Sequence, residues 1–196
     1  ALPLNSESTG NAVAFSPGYA QDGTFAVSLG ADGVVLTSDR GATFTTVYDG
    51  TTTSLLFSPL YGGSHELFIG TAGSGLVTLD TSTGSRTVRS VPGGDLQSVA
   101  ITALAASPAF GEDHTLFVGT SRLGLFVSRD GGRTLLDSNA GIVNARVNAV
   151  AVSPVFATDR TVFFGTAYQG VARTTDGGAT VGYGNTGLTS LNILTL

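Results

Sequence analysis

A unit of about 45 residues recurs four times along this 196-residue chain, and that repetition constrains the fold more than any other feature. The dipeptide Ser-Pro closes a short apolar run at Ser16-Pro17, Ser58-Pro59, Ser107-Pro108 and Ser153-Pro154, at spacings of 42, 49 and 46 residues. An aromatic follows two residues later, at Tyr19, Tyr61, Phe110 and Phe156. A polar loop then leads into a second apolar run (TFAVS, ELFIG, TLFVG, TVFFG). After a glycine-bearing tip comes a third (GVVLTSD, GLVTLD, GLFVSRD, GVARTTD). Runs this short, bounded by Gly, Pro, Asp and Asn, read as strands, and no segment keeps a helical period long enough to compete.

The second run is apolar at consecutive positions: Leu67-Phe68-Ile69, Leu116-Phe117-Val118, Val162-Phe163-Phe164. Continuous apolarity implies burial on both faces, which sheets achieve when each is stacked between two others. Radial four-stranded blades meet that condition and leave only short edges. We therefore expect an all-β fold, a β-propeller with four blades of four antiparallel strands over residues 11–52, 53–98, 101–146 and 147–187. Residues 188–196 align with the lead-in to the fourth unit, so we expect them to start a further blade or to act as a closing strand. Three outcomes stay open: a small closed propeller, part of a larger one, or pairing with another copy. Because 196 residues is short for this architecture and the chain starts at Ala1, part of a longer or processed chain is the favoured expectation.

Each third strand ends in a small polar cluster. Ser128-x-Asp130-x-Gly132-x-Thr134 resembles the Asp-box, or bacterial neuraminidase repeat, found in sialidases, sortilin-type receptors, xyloglucan-active glycosidases and the photosystem II assembly factor. Thr37, Asp39, Gly41 and Thr43, and Thr174, Asp176, Gly178 and Thr180, match it with threonine first. The second copy is longer, with two extra residues between Asp80 and Gly84. The resemblance implies a propeller fold and an exported protein, located in the periplasm, at the cell surface or outside the cell; it specifies no activity.

An aspartate followed by glycine at a strand end accepts backbone N–H bonds while glycine supplies positive φ, so a scaffold role follows from turn chemistry. Recurrence in all four units points the same way for Asp39, Asp80, Asp130 and Asp176, and recurrence in three units does so for the loop acids Asp22, Asp113 and Asp159. Function is then sought where the units differ. The tips between second and third strands carry Asp32, Arg122, Tyr168 and Gln169. The blade connections on the same face carry Asp95, Asn139, Asn144, Arg146 and Asn185. We take Asp32, Asp95, Arg122, Asn144, Arg146, Tyr168 and Gln169 as candidate binding residues on a rim suited to a protein or glycan.

Composition removes several classes. With no cysteine there are no disulfides or thiolate sites, and His65 and His114 lack partners for a zinc set, so no metal or cofactor is expected, with a calcium site on loop aspartates and carbonyls left open. Fourteen acidic residues face nine arginines and no lysine, which leaves no basic stripe for nucleic acid. No apolar run reaches membrane-spanning length. Only three glutamates exist, Glu7, Glu66 and Glu112, and there is no tryptophan to stack a sugar. Asp32 and Asp95 are the available pair for carboxylate glycoside chemistry. The expected role is a non-catalytic scaffold or binding module of the cell envelope or extracellular space. A glycoside-active enzyme, and a structural subunit of a surface layer associating through the terminal strand, are the alternatives.

Overall fold

The computed structural model describes residues 10–89, 99–142 and 146–196. Within these described residues sixteen strands form four antiparallel sheets, each a simple meander. The first holds β1 (Ala12–Phe15), β2 (Phe25–Ser28), β3 (Val34–Thr37) and β4 (Thr45–Tyr48). The second holds β5 (Thr52–Phe57), β6 (Glu66–Thr71), β7 (Leu76–Asp80) and β8 (Arg86–Arg89). The third holds β9 (Ile101–Ala106), β10 (Leu116–Thr120), β11 (Leu125–Ser128) and β12 (Leu136–Asp137). The fourth holds β13 (Val147–Val152), β14 (Val162–Thr166), β15 (Val171–Thr174) and β16 (Gly182–Tyr183). The first strands touch in succession, β1 on β5, β5 on β9 and β9 on β13, so the sheets stand side by side as propeller blades around the innermost strands.

The core lies between the blades. Leu67, Phe68 and Ile69 of β6 and Leu116, Phe117 and Val118 of β10 are sealed, because alternate residues face opposite neighbours and both neighbours are sheets. One apolar cluster joins Phe117, Leu125 and Val127 of the third blade to Val147, Phe156, Val162 and Phe164 of the fourth. Another joins Phe68 and Leu76 of the second to Ile101, Phe110 and Leu116 of the third.

Two contacts repeat between the second and third blades and between the third and fourth. A Cβ at Gly70 would lie 2.9 Å from Ile101 Cγ2, and one at Gly119 would lie 2.7 Å from Val147 Cγ1. Glycine in the second strand is thus the hole that receives the first branched residue of the next blade. Beside it, Thr53 Oγ1 donates to the Ile101 carbonyl and Thr102 Oγ1 to the Val147 carbonyl. The first junction uses a different pair: Ser28 replaces the glycine and its hydroxyl bonds to Thr52 Oγ1 at 2.6 Å, while Asn11 Nδ2 reaches the Thr52 carbonyl at 3.4 Å. Residues 191–194 continue the series. Ile193 lies against Gly165, Asn148 Nδ2 donates to the Ile193 carbonyl at 2.9 Å, and Ile193 N–H donates to the Thr166 carbonyl.

The loop between first and second strands contains one turn of helix in every blade, where the sequence reads only as polar loop: α1 (Tyr19–Asp22), α2 (Tyr61–Ser64), α3 (Phe110–Asp113) and α4 (Phe156–Asp159). Four residues are too few to show a period. The turn is closed locally: Ser16, Ser107 and Ser153 donate to Asp22, Asp113 and Asp159 at 2.6, 2.7 and 2.8 Å. The other carboxylate oxygen of each takes the N–H of Thr24, Thr115 or Thr161. Ser64 stands in this place in the second blade. His65 and His114 follow their turns in the left-handed conformation, as C-terminal caps.

The polar clusters after the third strands are turn braces. In the third blade Ser128 Oγ donates to Asp130 Oδ1 at 2.7 Å and accepts the N–H of Gly132 at 2.8 Å. Thr134 closes the loop, its N–H to Oδ1 at 2.9 Å and its hydroxyl to Oδ2 at 2.7 Å. Thr37, Asp39, Gly41 and Thr43 repeat the pattern, and so do Thr174, Asp176, Gly178 and Thr180. The longer second loop is built differently: Asp80 accepts from the N–H and hydroxyl of Ser82 and the N–H of Thr83, while Gly84 N–H returns to the Asp80 carbonyl. Hydrogen bonds to the charged form lower the carboxyl pKa. Asp39, bonded by Thr37 and Thr43, is held at about 2, and Asp80, bonded by Ser82, at about 2. At Asp130 burial works upward, but the bonds from Thr134 and Ser128 prevail and hold it at about 2. Asp176, bonded by Thr174 and Thr180, is lowered further still.

Two measurements check this account. Gly119→Ala overfills the hole that takes Val147, and we expect a loss of about 1–3 kcal/mol in urea unfolding. The braced aspartates have folded pKa values below their ordinary 3.8, so the native state binds fewer protons than the unfolded chain. Their stabilisation is complete above that ordinary value and is lost as the pH falls through about 2. Thermal unfolding followed from neutral to acid pH therefore steepens in that window, and Asp39→Asn with Asp130→Asn makes the acid limb shallower.

Candidate functional site

The tips joining second to third strands are held from below in the second, third and fourth blades. Thr71, Thr120 and Thr166, each ending a second strand, donate to the carbonyls of Gly75, Gly124 and Gly170. The same hydroxyls accept the N–H groups of Ser74, Leu123 and Gln169. Each threonine thus staples both ends of its tip. The first blade has Leu29 at this position and forms a 3-10 turn, Gly30–Asp32, instead.

Asn139 and Asn185 are clamps rather than ligand groups. Asn139 Oδ1 accepts from Leu125 N–H and its Nδ2 donates to the Leu123 carbonyl, both at 2.8 Å. Asn185 does the same for Val171 N–H and the Gln169 carbonyl. Both amide ends are consumed by the backbone of the adjacent tip, a use that a residue type at a loop position does not reveal.

Three of the candidate binding residues come together. Arg122 from the third tip, Tyr168 from the fourth and Arg146 from the connection into β13 line one open cavity of about 470 Å³ with Ser121 and Leu123. Tyr168 is 78% exposed, the most exposed large apolar side chain described. Arg146 is oriented by its Nε bond to Asn148 Oδ1 at 3.0 Å, and Asn148 is the residue that holds the Ile193 carbonyl. Two arginines line this cavity and no carboxylate does, so the local field favours a negatively charged group. Ser121 and Leu123 had no separate signal in the sequence beyond lying in the same tip as Arg122.

The remaining candidates lie elsewhere. Asp32 belongs to the first blade and Gln169 accepts the Tyr183 hydroxyl at 2.6 Å; neither lines this cavity. Asp95 and Asn144 lie outside the described residues, as does Glu7. Among the described residues there is no group of three or more His, Asp or Glu side chains placed to hold a metal ion. No described helix is long and apolar enough to cross a membrane.

A second concavity, about 570 Å³, lies on the outer face of the fourth sheet between Phe163, Val171, Arg173 and Tyr183. Its sequence signal is Arg173, which stands where the other units have Leu36, Thr78 and Val127.

No family model matches the sequence and no curated protein matches it. Solved structures do share the fold. The extracellular domain of a hybrid two-component system from B. thetaiotaomicron has a TM-score of 0.70 at 14% identity over 98% of this chain. An ancestral GH74 enzyme has 0.67 at 20% identity over 94%, and the Niastella koreensis GH74 enzyme 0.67 at 18% over 88%. This chain spans 25%, 26% and 29% of those three chains. At such identities the likeness is one of fold.

Replacing a clamp and replacing a rim residue should differ in kind. Asn139→Ala leaves a tip N–H unpaired and costs about 1–3 kcal/mol in chemical denaturation. Arg122→Ala changes stability by no more than about 0.5 kcal/mol, as an exposed side chain away from the packing.

Proposed function

We propose that this chain is a β-propeller module of the cell envelope or extracellular space that binds an acidic ligand, glycan or peptide, through the rim between its third and fourth blades. The observation that carries the reading is the cavity in which Arg122 and Arg146 converge beside the exposed ring of Tyr168. Guanidinium groups bind carboxylates, sulfates and phosphates through paired N–H donors. A tyrosine ring adds an apolar face and a hydroxyl, and it is stiff enough to order at low entropic cost. A volume of about 470 Å³ suits one or two sugar rings or a short side-chain cluster.

The extracellular placement is supported by the extracellular domains among the structures that share the fold. The reading of the S/T-x-D-x-G-x-T loops as Asp-boxes belongs to the same proposal, supported by their common bonding in the first, third and fourth blades. A role without catalysis is favoured because the cavity is lined by no carboxylate, whereas glycoside hydrolysis needs a pair of them. Two GH74 enzymes among the structural neighbours keep the glycoside-active reading as the alternative to test.

The test is a binding screen of the purified chain against uronate-bearing, sulfated and neutral oligosaccharides and against acidic and basic peptides. Binding confined to acidic ligands, weakening as salt rises and lost in Arg122→Ala, Arg146→Ala and Tyr168→Ala, is expected. Preference for neutral or basic ligands, or binding indifferent to those substitutions, overturns the reading. Release of reducing ends from any oligosaccharide supports the alternative.

A further inference from the structure

Every blade turns one face towards the blade that follows it. In the second blade that face carries Phe68 and Leu76, and in the third Phe117, Leu125 and Val127; none of these is more than 4% exposed. The cover comes from two parts of the following blade. One is the aromatic of its helical turn, with Phe110 against Phe68 at 6.1 Å and Phe156 against Phe117 at 5.5 Å between ring centroids. The other is its braced aspartate loop. A Cβ at Gly132 would lie 3.3 Å from Phe68, and one at Gly178 would lie 3.8 Å from Phe117. Arginines complete the seal, Arg89 Nε donating to the Arg133 carbonyl and Arg129 Nη2 to the Gly177 carbonyl.

The fourth blade has the same face without the cover. Phe163 pairs with Val152's neighbour Ala151 and with Arg173 in the register that Phe117 has with Ala105 and Val127, yet it is 38% exposed. Beside it Val171 and Arg173 open onto the 570 Å³ concavity. Residues 191–194 already occupy the place of a following first strand, with Ile193 against Gly165 as Val147 lies against Gly119.

We propose that the outer face of the fourth sheet is a docking surface for a further blade of this same repeat, entered by residues 191–196 as its first strand. That blade brings an aromatic turn and a braced aspartate loop onto Phe163, and Arg173 donates to a carbonyl of the loop as Arg89 and Arg129 do within the chain. A second copy is disfavoured as the occupant, because its own β1 would compete with Ile193 for one slot. The inference rests on the junction geometry and is independent of the rim ligand.

The chain has no tryptophan, so Phe163→Trp places a single reporter on the face. Two extended proteins are made on that background, one with residues 151–187 and one with residues 105–146 fused after Leu196, both continuing the register of Ile193. We expect a blue-shifted emission and severalfold weaker acrylamide quenching than in the unextended protein, with a raised unfolding midpoint. Replacing the glycine of the appended aspartate loop by valine removes the effect. Unchanged quenching in both extensions overturns the proposal. A reporter already shielded in the unextended protein, with a concentration-dependent mass by sedimentation that Phe163→Asp abolishes, assigns the face to a second copy and overturns it equally.

Discussion

The structure depends on a side-chain bond passed from each blade to the next. Asn11, Thr53, Thr102 and Asn148 occupy the same place at the innermost strand, and each donates to the backbone carbonyl of Thr52, Ile101, Val147 or Ile193 in the following unit. At Ile101, Val147 and Ile193 the branched side chain carrying that carbonyl fills the space left by a glycine in the second strand of the earlier blade, and at Thr52 it bonds to Ser28 instead. A donor, a knob and a hole together set the spacing and rotation of adjacent sheets, and the apolar faces of Phe68 and Phe117 meet their covers because the sheets are held at that spacing. Each junction involves only neighbours, so the architecture is a chain of nearest-neighbour contacts.

Away from the axis, carboxylates do comparable work at the rim of each sheet. Asp22, Asp113 and Asp159 lock the turn before the second strand, and Asp39, Asp130 and Asp176 lock the turn after the third. Most of the chain's aspartates are therefore committed to holding backbone in place, which is why a strongly acidic protein can present a rim cavity lined by two arginines. The carboxylates stay ionised and are held by hydrogen bonds on their own loops, at the end of each sheet opposite the tips between second and third strands.

In the third and fourth blades those tips combine a shared base with a variable crown. The threonine staple and the asparagine clamp fix where a tip begins and ends, so residues 122 and 168 can differ freely without disturbing the sheets. The same separation appears on the outer face of the fourth sheet, where Arg173 replaces the Val127, Thr78 or Leu36 of other units while the strand pairing is retained. Substitution at a position whose backbone is independently held is the physical route by which a repeat acquires a binding site.

The meander of each blade, the buried second strands and the bracing aspartates were legible in the sequence because each is local: periodicity, turn chemistry and recurrence all act within a few residues. The four-residue helical turns and the different bonding around Asp80 were not, since neither leaves a period or a motif to read. Tertiary structure alone decided that Asn139 and Asn185 are clamps, that Arg122, Arg146 and Tyr168 share a cavity while Asp32 and Gln169 do not, and that Phe163 stands uncovered. Those outcomes depend on how residues far apart in the chain are brought side by side when blades stack, and a one-dimensional repeat records which positions are equivalent but not which of them meet.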